Sequence, residues 1–347
     1  MQEVKYIRDD WRQTCLDALA GEGYVVLGPM RDGEKVRFRP CTTGSDLVLD
    51  QVNSDYPLKE AFLPKTERLL AYTFGPGGEP AMTPPEVATQ KLAVLGCRPC
   101  DAAALVGLDR VFNWDYEDAF YNQRRRESLI LSVGCSTSDD RCFCTSLGLA
   151  PDASEGSDLL IQPLPDGGAR VTVVSDKGRA FAAAHADVFG PSSTGSPPTV
   201  ADVPVRLDIE MIKPWLDAHF ADDLWEDISL QCLGCGACSY QCPTCHCFDM
   251  VDETHWQQGE RRRNHDCCSF SLFTRHTSGH NPRPTPASRW RNRLMHKFRY
   301  FVERFDRRAC VGCGRCMRVC GAGLSLIEIL KTVAARPAEK PVQEVTA

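Results

Sequence analysis

The chain has 347 residues, 43% hydrophobic and 25% charged, a composition that excludes disorder and collagen-like repeats and fits a globular protein of about two domains. Its longest apolar runs, at 92–96 and 129–131, fall far short of the roughly 18–20 residues that a transmembrane helix needs, so no membrane insertion is expected. The net charge of −6 argues against general affinity for nucleic acid. The start, MQEVKYIRDDW, carries acidic residues where an export signal needs an apolar core, so the cytoplasm is the expected compartment.

Near the N-terminus, Trp11, Leu16 and Leu19 fit an amphipathic helix over 10–21, and 24–27 reads as a strand. KLAVLG (91–96) is a short apolar run, DAAALVGLDRVF (101–112) has helical spacing with Asp101 as N-cap candidate, and SLILSVG (128–134) is apolar again, which together suggest a βαβ unit. Residues 158–175 read as two strands around the turn Pro165-Asp166-Gly167-Gly168. GPSSTGSPPTV (190–200) has the composition of an inter-domain linker, and a helix over about 209–225 follows it. The expected architecture is thus α+β: a mixed α/β domain over 1–205, then a second domain over 206–335 with a long basic insertion at 248–309, and a mobile tail at 336–347. Between 261 and 308 stand 12 Arg and one Lys against Asp266, Glu303 and Asp306, so this stretch is expected to form a basic surface on an otherwise acidic protein.

Nineteen cysteines set the class. The count is odd, the chain is long for a disulfide scaffold and no export signal precedes it, so the thiols are expected to be reduced ligands. One motif occurs twice. Cys232-Leu-Gly-Cys235-Gly-Ala-Cys238 is followed by Cys242, and Cys310-Val-Gly-Cys313-Gly-Arg-Cys316 by Cys320, both C-x2-C-x2-C-x3-C. In two-cluster ferredoxins the fourth Cys of each copy ligates the other cluster. The domain over 206–335 is therefore expected to be a bacterial-type two-[4Fe-4S] ferredoxin domain, with Cys232, Cys235, Cys238 and Cys320 as ligands of one [4Fe-4S] cluster and Cys310, Cys313, Cys316 and Cys242 of the other. Pro243 follows Cys242 as the motif requires, whereas Gly321 stands at the equivalent place in the second copy. Zinc also takes four thiolates, but its sites pair two C-x2-C knuckles rather than these seven-residue runs.

Other cysteines lie outside the repeat. Cys245 and Cys247 are alternatives to Cys242 as ligands, or else thiols packed beside a cluster; the vicinal Cys267-Cys268 reads either as a thiol/disulfide redox pair or as a buried Cys beside a surface one. In the first domain Cys97 and Cys100 follow one apolar strand, Cys135 follows the next, and Cys142 and Cys144 come shortly after, so these thiols converge at strand ends. Their spacing alone leaves zinc and a third iron-sulfur cluster both open. His246 and His265, beside cysteines, are candidates for tuning a cluster by hydrogen bonding. No dinucleotide fingerprint, P-loop or catalytic signature is present. Basic residues interleaved with Trp256, Trp290 and Tyr300 suit docking to an acidic partner, or a wrap around anionic clusters, better than nucleic acid.

CRPCDAAALVGLDRVF (97–112), GCSTSDDRCFC (134–144), CLGCGACSYQCPTCHCFD (232–249), SGHNPRPTPASRWRNRLMHK (278–297) and CVGCGRCMRVC (310–320) resemble, in this order, the iron-sulfur beta subunits of cytosolic sulfhydrogenases, which are NAD(P)-linked nickel-iron hydrogenases. The A subunit of anaerobic sulfite reductase looks similar. The resemblance implies that Cys100, Cys135, Cys142 and Cys144 hold a third cluster, with Cys97 extra. It implies an electron-transfer subunit, without a catalytic residue of its own, between a flavoprotein subunit that handles NAD(P)H and a hydrogenase small subunit or other terminal reductase subunit. Partnership with sulfite reductase or a heterodisulfide-reductase-type complex is the alternative, and an enzyme with thiol/disulfide chemistry at Cys267-Cys268 is an alternative of another kind.

Overall fold

The computed structural model describes residues 3–8, 10–84, 90–191 and 196–336; the tail beyond Arg336 and part of the 190–200 linker lie outside the described residues. In chain order come β1 (Glu3–Ile7), α1 (Trp11–Gly21), β2 (Val25–Asp32), β3 (Lys35–Pro40), β4 (Thr66–Phe74), β5 (Pro80–Thr83), β6 (Leu92–Cys97) and α2 (Pro99–Val111). They are followed by α3 (Ala119–Arg126), β7 (Ser128–Val133), β8 (Leu159–Pro163), β9 (Ala169–Val173) and α4 (Asp176–Ala184). A seven-stranded sheet runs β1-β9-β8-β7-β6-β2-β3. Its centre, β2-β6-β7-β8, is parallel, and β3, β9 and β1 add on antiparallel. Every residue of β7 is buried, as is all of β6 after Leu92. That is why these two strands read as unbroken apolar runs: helices cover both faces of a parallel centre.

α1 starts where Asp10 caps it, accepting from Gln13 N. β8 and β9 pair around the Pro-Asp-Gly-Gly turn, Leu159 opposite Val173. The expected cap at Asp101 is corrected. α2 begins at Pro99 with Arg98 as N-cap, because proline suits the first helical position. Asp101 instead sits buried in the first turn, where its carboxylate meets Arg315.

In the C-terminal part the helix expected over 209–225 is two, α5 (Ile212–Ala218) and α6 (Leu224–Ser229). The chain breaks at His219, whose carbonyl accepts from Trp225 Nε1, and Asp222 restarts it by accepting from Leu224 N. Then come α7 (Ala237–Tyr240), the hairpin β10 (Phe248–His255) and β11 (Gln258–His265), α8 (Pro286–Met295), a π-helical turn at His296–Tyr300, α9 (Phe301–Phe305), α10 (Arg315–Arg318) and α11 (Leu326–Ala334). Trp215, Leu216, Leu294, Phe298 and Leu330 build a second core.

A four-stranded sheet, β10-β11-β4-β5, joins the two parts: β11 pairs with β4 from Gln258 opposite Thr73 to Asn264 opposite Thr66. Part of the positive charge expected at the surface over 261–308 is neutralised or buried. Arg261 pairs with Asp252, Arg262 with Glu253 and Glu260, and Arg263 with Glu67 and Asp118, while Arg299, Arg307 and Arg308 also reach carboxylates. Arg293 and Lys297 are buried. This part of the positive charge is thus spent inside the fold, against acids that are distant in sequence or against acids of the same hairpin. No helix among the described residues is long and apolar enough to cross a membrane.

Candidate iron-sulfur sites

Both C-x2-C-x2-C loops have the same backbone. Gly234 and Gly312 have φ of +65° and +64°, and Gly236 and Gly314, each opening a one-turn helix (α7 and α10), have φ of +75°. Glycine adopts these left-handed angles without steric cost, so the repeat in sequence becomes a repeat in conformation. α7 and α10 pack against each other.

Cys232, Cys235, Cys238 and Cys320 line one cavity, so the trailing cysteine of the second copy stands with the first three of the first. Gly234 N donates to Cys232 Sγ at 3.4 Å, and Cys235 is exposed. Cys310, Cys313, Cys316 and Cys242 lie within electrostatic reach of one another. Burial pushes the Cys310 thiol up to about 11. Cys242 goes the other way: a hydrogen bond from Cys245 and the Lys297 ammonium at 3.2 Å hold it well below the ordinary thiol range, and Cys245 is raised in turn.

In the first domain Cys100, Cys135, Cys142 and Cys144 line one cavity, together with Gly312 and Cys313. Burial pushes Cys135 and Cys144 up to about 11. Cys97 is fully buried in the core formed by Leu58, Phe62, Leu105 and Ile130 and does not line that cavity. The second ferredoxin-type loop is locked onto this site. Phe143 N donates to Gly312 O at 2.9 Å, and Asn53 Nδ2 and Arg318 Nη1 both donate to Cys313 O. Arg315 forms a buried ion pair with Asp101 at 2.8 Å. Arg318 grips Asp139 in two bonds of 2.7 and 2.8 Å and, against the effect of burial, holds that carboxyl down at about 2. Arg318 Nη2 also reaches Cys142 Sγ at 3.5 Å.

The donor sets suit iron-sulfur clusters. The first-motif and first-domain sets each offer four thiols around a cavity, the second-motif set brings four thiols within electrostatic reach, and N–H or cationic groups stand at sulfur, the surroundings that stabilise thiolate-bound iron. Arg315 Nη1 is buried without a protein partner, and the thiols of Cys100 and Cys313 are within its electrostatic reach. Among the described residues, no three His, Cys, Asp or Glu side chains converge as a single metal ion requires.

Cys15 and Cys41 are packed in the first-domain core, and Cys245, Cys247, Cys267 and Cys268 lie beside the paired loops. Cys267 Sγ accepts from Ser269 N at 3.3 Å and lies against Gly236, while Cys268 contacts both Cys267 and Cys247. His246 and His265 flank Cys245 and Cys247 in a cavity under Phe112. Sequence reasoning did not single out Lys59, Arg293, Lys297 or Arg315, and it read Asp101 only as a helix cap. Arg293 and Lys297 carried a signal, four residues apart on one helical face next to apolar neighbours; Lys59 carried none.

Two comparisons bear on this arrangement. Residues 231–324 match the family of 4Fe-4S dicluster domains, so the C-terminal part is a dicluster ferredoxin-type domain and the protein is an iron-sulfur protein. The chain is also 29% identical over 320 residues to Sulfhydrogenase 2 subunit beta of Pyrococcus furiosus, an alignment that covers 89% of this chain and 92% of that protein. The resemblance to iron-sulfur beta subunits of sulfhydrogenases therefore extends over nearly the whole chain and is not confined to the cysteine motifs. No solved structure matches.

Proposed function

We propose that the protein is the electron-transfer subunit of a cytoplasmic sulfhydrogenase-type complex. It carries [4Fe-4S] clusters on Cys232, Cys235, Cys238 and Cys320, on Cys310, Cys313, Cys316 and Cys242, and on Cys100, Cys135, Cys142 and Cys144. The observation that carries this reading is the series arrangement of the thiols. Cys313 of the second set is in the wall of the third cavity, and Cys316 is in the wall of the first. The clusters supply one-electron chemistry; the chain supplies spacing, burial and hydrogen bonds to sulfur. The partners are a flavoprotein subunit that exchanges electrons with NAD(P)H and a terminal subunit, the small subunit of a nickel-iron hydrogenase. The likeness to Sulfhydrogenase 2 subunit beta supports hydrogenase over sulfite reductase as the terminal partner.

Iron, sulfide and zinc content of anaerobically purified protein, with an EPR spectrum of the reduced state, tests the reading. About twelve irons and no zinc are expected from three cubanes. About eight irons with one zinc overturns the third cluster, and loss of NAD(P)H-driven electron delivery without this subunit is the functional counterpart. An isolated chain that reduces disulfides on its own would favour chemistry at Cys267-Cys268 instead.

A further inference from the structure

Three cations are buried between the two ferredoxin-type sites: Lys59 at 1% exposure, Arg293 at 3% and Lys297 at 3%. Buried charges are normally met by carboxylates. Among the described residues none of these three has one. Lys297 Nζ donates to Cys242 Sγ and Thr244 Oγ1, both at 3.2 Å, and to Ala309 O at 2.7 Å. Lys59 Nζ donates to Cys245 O at 2.8 Å and Ser239 O at 3.1 Å, and lies 3.4 Å from His265 Nε2. Each ammonium therefore has three acceptors for its three N–H groups, the full complement of the charged form. Arg293 donates to Ser239 Oγ at 2.8 Å and Cys238 O at 3.3 Å, and contacts Cys245 Sγ at 3.9 Å. Lys297 is placed by the π-helical turn after α8, a rare geometry found mostly at functional sites.

The two loops share one backbone, yet their cations differ: Arg293 is in the wall of the cavity of Cys232, Cys235, Cys238 and Cys320, whereas Lys297 and Lys59 stand beside Cys242 and Cys245. Cys242 is the only thiol of the eight in the paired motifs, among the described residues, whose sulfur accepts from an ammonium. Reduction of a thiolate-bound cluster adds one negative charge, and a fixed cation in a low-dielectric interior favours that state.

We propose that Lys297, supported by Lys59, is a positioning residue that raises the reduction potential of the site made by Cys242, Cys310, Cys313 and Cys316, so that an electron entering the chain comes to rest there. The inference rests on the reading of the paired motifs as two clusters. The step is a one-electron reduction by the partner flavoprotein; no bond forms or breaks, and the ammonium keeps its protons throughout.

The test is an EPR-monitored redox titration of the full chain, reconstituted anaerobically, as wild type, Lys297→Met and Lys297→Arg, with iron and sulfide measured on each. Lys297→Met is expected to lower one midpoint, the highest of the wild-type pair in the dicluster domain. The expected change is at least about tenfold in the reduced-to-oxidised ratio at fixed potential, which is 59 mV for a one-electron couple. Lys297→Arg is expected to stay close to wild type. A Lys297→Met protein with full iron that titrates like wild type, that shifts every midpoint equally, or that shifts only the lowest midpoint overturns the proposal. If Lys297→Met loses iron, Lys59→Met, whose parent lysine touches no sulfur, decides: a smaller fall of the same midpoint supports it and no change overturns it. Failure to pass electrons to a partner with these midpoints intact would count against the proposed function and leave this inference standing.

Discussion

Cys97 and Cys100 are three residues apart and have opposite surroundings. Cys97 ends β6 inside an apolar core, whereas Cys100 lines the first-domain cavity. Cys97→Ala is expected to keep all iron and to cost about 1 kcal/mol in denaturant unfolding, the range for small deletions in a core. Cys142→Ser is expected to remove about four of twelve irons. Asp101 faces Arg315 with both side chains at or below 2% exposure. Asp101→Asn leaves a buried guanidinium without its counter-charge and is expected to lower stability by about 3–5 kcal/mol, read as a lower denaturant midpoint. Three histidines set the acid limit. Burial holds His246 down at about 4, and His265 and His296 at about 3, against about 6.5 in an unfolded chain. A histidine with a lowered folded pKa contributes its full stability above the unfolded value and loses it as pH falls toward the folded one. Stability should therefore fall from about pH 6.5 downward, by up to about 1.4 kcal/mol per pH unit for each histidine. His296→Gln should make the slope between pH 6.5 and 5 shallower in denaturant titrations.

The two glycine loops show how one local conformation serves two tertiary roles. A Cβ at Gly234 meets nothing within 4 Å, whereas one at Gly312 lies 2.5 Å from Cys144 N and against Phe143. Both substitutions carry the cost of a non-glycine residue at positive φ, about 1 kcal/mol. Gly234→Ala is expected to show that cost alone in a thermal melt. Gly312→Ala must also push the loop off the first domain and is expected to lose iron from the third site. The loops, β6, β7 and the β8–β9 hairpin were legible because each follows from a local pattern: paired spacing, an unbroken apolar run, a turn between two runs. The break between α5 and α6 was not. The run from Ile209 to Trp225 keeps a plausible helical spacing, and the interruption depends on Trp225 reaching back to the His219 carbonyl. Likewise nothing local distinguishes Pro99 from Asp101 as the start of α2 until Asp101 is seen to be engaged by a residue 214 positions away.

At the scale of the molecule, the hairpin β10–β11 completes a sheet with β4, and the arginines of β11 are neutralised by Glu67, Asp118 and acids of the hairpin itself. Part of the positive charge of this stretch is therefore met by acids of distant segments, which sequence order does not show, and part by acids of the same hairpin. The sequence by itself determined the class of this protein, because cluster ligation needs thiols at fixed short spacings within one loop, and that requirement is written directly in the C-x2-C-x2-C runs. Only the tertiary structure decided how the thiol sets stand relative to each other, that Cys97 is packing, and that Lys59, Arg293 and Lys297 bring positive charge between the ferredoxin-type sites. Those features depend on contacts between elements far apart in the chain, which are chosen by burial and charge pairing across the whole fold.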